Sequence, residues 1–587
     1  MKLKDFPIMD FSGGLVCNKS DYEMDRNEMK TLINFDIDEK GKLKRRRGSH
    51  QFGTTITGKV IDNSYTFGYY TLGTSVVYYH LIVDRTAGTG SATLYKMLLD
   101  YTTSAITTAS TQVAVKLNGF AATGTVVIDG DIITYTGKSS LNLTGATGIT
   151  SNHPVNSMVT QISTVGTLTG HETSMGIYFS SLNGLCFING RAANSTFDGT
   201  TITAITDDDQ PAGLFATNYR DRIYVAGTGA TNAADTRNSN PIRVSYSDAG
   251  DATSWDINNY FDVEENLGEM ITGLRANDDN LFILKANSIF TYNEVQLKQQ
   301  LWGVGAYNHR CIENIGNMFY TTCPKGVFIT NGFSAKKISE PIEKYLNMFR
   351  PTFNNDGSVW GRVCTNIISF QFENKYHIYL GTITDPDDLS KTLSDVVLVY
   401  DTKKGNWTIH TNYTNFTHIT TLPIWGGGTL EDTSVSGPSQ MCEAVFAGDS
   451  GGKYWKLYDN KFFNGETTRA LSGGDITENL LSDTGSPISC VAETPFYDLG
   501  NPSWWKNFDK LRVLIEKGEF DISYRLDKGD YFTDWISLGN FNKPNKLISL
   551  PDKKGYRISF KVTSNTKDVL SVLNGLIIEN IDAEQKK

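Results

Sequence analysis

The residues able to do chemistry are few and scattered along the 587-residue chain. TDDDQPAG (206–213) sets three acids side by side. Consecutive side chains on extended backbone point to different faces, and no spaced Asp, Gly and Glu pattern completes a calcium loop, so a solvated loop is expected. The eight histidines form no HxxxH or HxH pair, and no GxSxG, Walker or GxGxxG context is present. GGGTLEDTSVSG (426–437) follows a tryptophan rather than a phosphate-binding strand-to-helix turn. Cys17, Cys186, Cys311, Cys323, Cys364, Cys442 and Cys490 are odd in number and widely spread, which reads as reduced thiols in a cytosol. Cys311 and Cys323 lack a second close pair and a histidine at ligand spacing, so buried thiols are expected there rather than zinc. Carboxylate pairs for glycoside hydrolysis leave no spacing signature where separate segments assemble them. No catalytic residue, metal ligand or cofactor is assigned, and the expectation is a protein that is not an enzyme.

The elements that would position any site are β-strands. RIYVAG (222–227), NLFILKANSIFTYN (280–293), GVFITNG (326–332), KYHIYLG (375–381) and VVLVYDTKKGNWTIH (396–410) are short alternating or β-branched runs bounded by Gly, Asn or Asp turns. Helical spacing is confined to EMDRNEMKTLINF (23–35) and EPIEKYLNMF (340–349), where Pro341 suits a first turn. Hairpins with LKANS, TKKGN or glycine-pair tips recur every forty to fifty residues or so from about 170 to 460, the spacing of four-stranded propeller blades. A stack of sandwiches would show cleaner domain breaks. The fold class expected is all-β: a β-propeller body with a small inserted β module and a C-terminal β-sandwich.

The division follows from composition. Residues 1–50 are an N-terminal arm and ring-closing segment, 51–115 the first part of the propeller, and 163–475 its remainder. Between them, 116–162 is an inserted module in which VVIDGDIITYTG alternates around a DG turn. Residues 485–580 carry the alternating strands of a sandwich, and GGDITENLLSDTGS (473–486) is the expected linker.

Net charge is −10, with residues 1–50 at +2, 501–587 at +3 and the middle at −15. An acidic body argues against tight phosphate binding but suits a surface past which DNA must slide. No apolar run approaches the eighteen or so residues of a membrane span, and MKLKDFPIMDF lacks the apolar core of a signal peptide, so no membrane anchor is expected.

The opening DFSGGLVCNKSDYEMDRNEMKTLINFDIDEKGKLKRRRG (10–48) packs acids and bases together. FSGGL, then a stretch ending in NFDID, then GxLKxRxG closely resembles the start of tail hub or nozzle proteins of short-tailed (podovirus-type) bacteriophages, a group related to packaged-DNA stabilisation proteins. PAGLFATNYRDRIYVAG, PIRVSYSDAGDATSWDINNYFDV, ITGLRANDDNLFILKANSIFTYN and KGVFITNG are similar to that family's propeller core, and 495–570 to its terminal sandwich. The family's usual KRPG ends here as RRRG, with Arg47 in place of proline, which relaxes the local turn.

The resemblance implies a structural virion protein made in the bacterial cytoplasm and placed in the tail. It would be a homo-oligomeric ring, a hexamer, contacting the portal or adaptor ring and other tail proteins. Packaged double-stranded DNA would be retained and conducted without sequence-specific binding. The alternative is a carbohydrate-binding or glycan-hydrolysing propeller of a phage tail or host surface protein. Candidate assembly or ring-closure contacts are Gly13 and Gly14, which permit close backbone approach, and Lys42, Lys44, Arg45, Arg46 and Arg47. For these cations, pairing within the propeller or across subunits ranks above plain solvation, and DNA contact ranks last. NFDID is expected to offer an exposed acidic edge. Trp255 reads as a blade-core anchor, and one of Trp504 and Trp505 as an outward-facing interface residue.

Overall fold

Among the described residues, seven antiparallel blades of four strands each close into a ring, four as separate sheets and three, blades 1, 6 and 7, as parts of larger sheets. The computed structural model describes residues 1–70, 76–85, 91–116, 118–155, 157–171, 176–190, 193–227, 240–264, 268–353, 364–426, 440–458, 470–471, 474–475, 482–483, 486–565 and 571–585. Blades 2 to 6 are each consecutive in sequence, with innermost strands Tyr178–Leu182, Phe215–Tyr219, Ile271–Ala276, Ile312–Ile315 and Ile368–Phe372. Blade 1 runs Val60–Tyr70, Val76–Arg85, Ser91–Tyr101 and, after the insertion, Met158–Thr169. Blade 7 takes three strands from late in the chain, Phe416–Gly426, Gln440–Asp449 and Tyr454–Leu457, and its outer strand Ser49–Gln51 from near the start. Phe416–Gly426 packs beside Val60–Tyr70, so both ends of the ring are held by one short N-terminal stretch. A blade alone leaves both sheet faces bare, and closure covers them.

The strand runs legible in sequence form as hairpins. Leu281–Lys285 and Ser288–Tyr292 turn at KANS, and Thr392–Asp401 and Asn406–His410 turn at TKKG. EPIEKYL forms a 3-10 turn Glu340–Ile342 followed by the short helix Glu343–Leu346. Residues 23–35 are not helical. They make turns and the strands Glu28–Met29 and Thr31–Ile33. Thr31–Ile33 is caught between Asn406–His410 of blade 6 and Cys490–Glu493, and pairing on both sides overrides a weak helical spacing.

The insertion occupies the connection between the third and fourth strands of blade 1, residues 102–157. It holds the three-stranded sheet Gln112–Ala114, Asn142–Thr144 and Gly137–Ser139, and the hairpin Gly124–Ile128 with Asp131–Tyr135. Val127 and Ile128 pair with Thr160 and Val159, so the hairpin extends the blade outward. Its own core includes Val113, Phe120, Ile133, Tyr135 and Leu143.

After blade 7, two sheets face each other. One is built on Trp504–Lys517 and Val572–Gln585, and the other on Cys490–Glu493, Arg557–Ser564, Phe520–Asp527 and Ile536–Phe541. The N-terminal arm belongs to both. Lys2–Leu3, Phe6–Ile8 and Leu43–Arg45 pair with Val572–Gln585, while Thr31–Ile33 fuses the second sheet to blade 6. A single buried cluster runs from blades 4 to 6 into this sandwich. The stretch 473–486 falls mostly outside the described residues, as does 426–437. Among the described residues no helix is long and apolar enough to cross a membrane.

Candidate functional site: the arm junction

The motif-bearing pieces of the arm, distant in sequence, meet where blade 6 joins the sandwich. Gly13 N donates to Asn27 O at 3.0 Å, and Asn406 Nδ2 donates to Ser12 O at 2.6 Å. Gly14 lies at φ 67°, and a Cβ there would stand 2.8 Å from Trp407 O. This glycine is required by a positive φ and by contact with a neighbouring backbone together. The Trp407 indole beneath it donates to Ile338 O at 2.8 Å.

Asn34, fully buried at φ 58°, is the centre of the junction. Its Oδ1 accepts from Arg46 Nε at 2.9 Å and from Thr411 N at 2.8 Å. Its Nδ2 donates to Thr411 Oγ1 at 3.1 Å and to Ser489 O at 2.8 Å. Its backbone N donates to Ile409 O at 2.7 Å, and its carbonyl accepts from Arg46 N at 3.0 Å. Arm, blade 6 and the start of the sandwich are thereby tied through one residue whose left-handed conformation asparagine tolerates.

Arg46 is fully buried and also donates to Arg47 O and Thr411 O, with its guanidinium 4.1 Å from the Tyr413 ring. Arg45 is fully buried as well and donates to Ile488 O at 3.2 Å. Neither is available to a second subunit or to DNA, because both side chains are enclosed where the arm, blade 6 and the start of the sandwich meet. Arg47 pairs with Glu373 of blade 6 and donates to Tyr458 O at 3.2 Å, so the residue that replaces proline is anchored to two blades. Lys42 pairs with Glu516 at 2.6 Å on the sandwich. Lys44 sits opposite Asp36 and Val572 in the strand register.

NFDID is not an exposed edge. Asp36 lies 3.1 Å from Lys375 Nζ and 3.4 Å from His410 Nε2. Burial alone would raise its carboxyl, but those two neighbours hold it well below the usual carboxylate range. Burial in turn lowers the His410 imidazole despite Asp36. Asp38 caps the following turn through Lys40 N and Lys42 N.

Trp504 and Trp505 are both half-buried, and the Trp505 ring meets Tyr556 edge-on at 4.9 Å, so neither stands fully outward. Trp255 is 5% exposed and packs against Phe187 of blade 2, at the interface between blades 2 and 3. TDDDQ is more than a solvated loop: Asp207 accepts the Trp255 backbone N–H at 2.9 Å, fastening the connection between blades 2 and 3. The six thiols whose side chains are described are free, and burial pushes Cys364 and Cys490 up to about 11 and Cys17 to about 12. No cluster of three or more metal-ligating side chains is found among the described residues.

Sequence reasoning placed Asn34 and Asp36 on an exposed acidic edge and missed His410 and Glu373 altogether. The one available signal was Asn34, a left-handed-tolerant residue inside an apolar run.

The fold and junction together define a propeller fused to a sandwich through its own N-terminus. No protein-family profile and no curated protein matches the chain. Among solved structures, it is similar to the Pan2 WD40 domain of Neurospora crassa at 10% identity and TM-score 0.27, covering 62% of this chain and 91% of that one. It is similar to Kluyveromyces lactis Hsv2 at 8% identity and TM-score 0.27, covering 64% and 98%. It is also similar to an exo-beta-1,3-galactanase of Phanerochaete chrysosporium at 10% identity and TM-score 0.21, covering 70% and 96%.

Proposed function

We propose that the chain is a structural protein of a short-tailed phage tail, a hub or nozzle subunit. Copies form a hexameric ring below the portal that retains packaged DNA and conducts it during ejection. The observation that carries this reading is the convergence of FSGGL, NFDID and LKRRRG, which bear the family resemblance, in one buried clasp between propeller and sandwich. A clasp of this kind fixes two rigid bodies in one orientation, as a load-transmitting ring subunit requires. The clasp partners Lys42, Arg45, Arg46 and Arg47 within the subunit, and in this reading the acidic middle of the chain, at −15, faces the DNA path and repels phosphates.

Arg310 bridges the propeller axis at one mouth, from Asp62 O of blade 1 to Thr417 O of blade 7. In this reading the DNA path runs between copies rather than through a propeller.

Electron microscopy of the purified protein and of virions tests the reading. Rings with an open centre, and density for this chain below the portal, are expected. A strictly monomeric protein absent from virions overturns it.

A further inference from the structure

The mouth bridged by Arg310 opens into a cavity of about 370 Å³ whose walls come from blades 1, 2, 6 and 7 and the turn before blade 5. Its charge does not balance. Asp62, 2% exposed, is the acid facing two guanidiniums: its Oδ1 lies 3.8 Å from Arg85 Nη1 and 3.9 Å from Arg310 Nη2. Neither separation is a hydrogen bond, and the other oxygen of Asp62 is taken by Ile177 N at 2.7 Å. Arg310 spends one donor on each of two backbone carbonyls, and its guanidinium lies 5.5 Å from the Tyr178 ring centre. Arg85, with its side chain 35% exposed, reaches Asp62 alone among described acids. One carboxylate thus serves two cations, in a concave site on a protein of net charge −10.

We infer that this mouth binds a small anion, a carboxylate or phosphate group carried on a hydroxylated body. The planar fork of arginine matches both oxyanions, and an uncompensated charge in a partly desolvated cleft attracts them more strongly than an exposed one does. Beyond the charged centre, Asn415 and Thr382 at the exposed rim supply amide and hydroxyl groups for the ligand's hydroxyls, and Phe416 forms an apolar wall. No motif announces the site because its residues come from separate blades. The inference needs the closed ring and not the tail role, so each can fail without the other.

The test is calorimetry on the full-length protein with sodium glucuronate, glycerol 3-phosphate, inorganic phosphate and, as uncharged control, glucose. At least one anion is expected to bind with a dissociation constant of ~1 mM or tighter. Tighter glucuronate assigns a carboxylate ligand, and tighter glycerol 3-phosphate a phosphate ligand. Arg85→Gln should weaken binding at least about tenfold while leaving the melting temperature unchanged. Asn415→Trp, at an exposed rim position, should block the mouth and give the same loss should Arg85→Gln fold poorly. Anions that fail to bind at ~10 mM, glucose binding as well as the anions, or both variants binding like the wild type would overturn the inference.

Discussion

Asn34 Oδ1 accepts the Arg46 Nε–H at 2.9 Å, joining two arm segments twelve residues apart at a point where both are fully buried. The same oxygen takes the backbone N–H of Thr411. Removing the amide strands a guanidinium donor and a peptide donor away from water, and alanine at φ 58° adds backbone strain. Asn34→Ala should therefore cost about 3 kcal/mol or more, read by urea unfolding. Asn34→Gly should recover only the strain. A loss below ~1 kcal/mol for alanine would show that the junction is not cooperative.

Truncating residues 1–48 should prevent the sandwich from folding. Phe11, Leu15, Met29, Leu32, Phe35 and Leu43 are all fully buried, and at roughly 1.5–3 kcal/mol each their burial is comparable with a whole domain's net stability. The deletion also bares the edges of Cys490–Glu493 and Asn406–His410. Size-exclusion chromatography should show aggregate. A soluble truncation melting with the full chain would refute the clasp.

Excising the insertion should be tolerated. Tyr101 and Met158 are partners across the third and fourth strands of blade 1, so a Gly-Asn turn can join residues 101 and 158 directly. Circular dichroism should retain the β signal and a cooperative melt. Loss of both would show that the blade depends on the module.

His153, 1% exposed, contacts Asp129 at 3.2 Å and Asp131 at 2.9 Å inside that module. Burial would lower its pKa, but the two carboxylates raise it from 6.5 to about 9. A raised histidine contributes stability fully present below its unfolded value and lost as pH rises through the folded one. Wild type should lose stability relative to His153→Gln between pH 6.5 and about 9. The difference between the two proteins matters because Lys506, lowered from 10.5 to about 8 by burial, contributes with opposite sign from about pH 8 upward and overlaps the end of that window. Parallel melting profiles across that range would contradict the ion pairing.

Free duplex DNA should bind weakly, with a dissociation constant of ~10⁻⁴ M or weaker at physiological salt and a shallow salt dependence. Arg45→Ala and Arg46→Ala should lower stability, since both side chains are fully buried. Tight binding with a steep salt slope that Lys44→Ala abolishes would make the opening stretch a DNA clamp.

Much of the architecture is local and so was written in the sequence. Alternation and turn chemistry specify hairpins such as 280–293 without help from the rest of the chain, and their recurrence specifies blades. The glycine pair and the basic run also marked the segment that matters. What the basic run does was illegible, because a strand's alternation leaves open which face is inside until its partners are placed. Arg45 and Arg46 turn inward only because Val572–Gln585, Thr411 and Ser489, more than 350 residues away, arrive beside them and Asn34. The helical spacing of 23–35 lost for the same reason, since two distant strands offer Thr31–Ile33 more hydrogen bonds than a helix there could bury. Local periodicity thus determined the blades, while burial of charge, the clasp and the arginine-lined mouth were decided by long-range pairing that closes the ring and welds it to the sandwich.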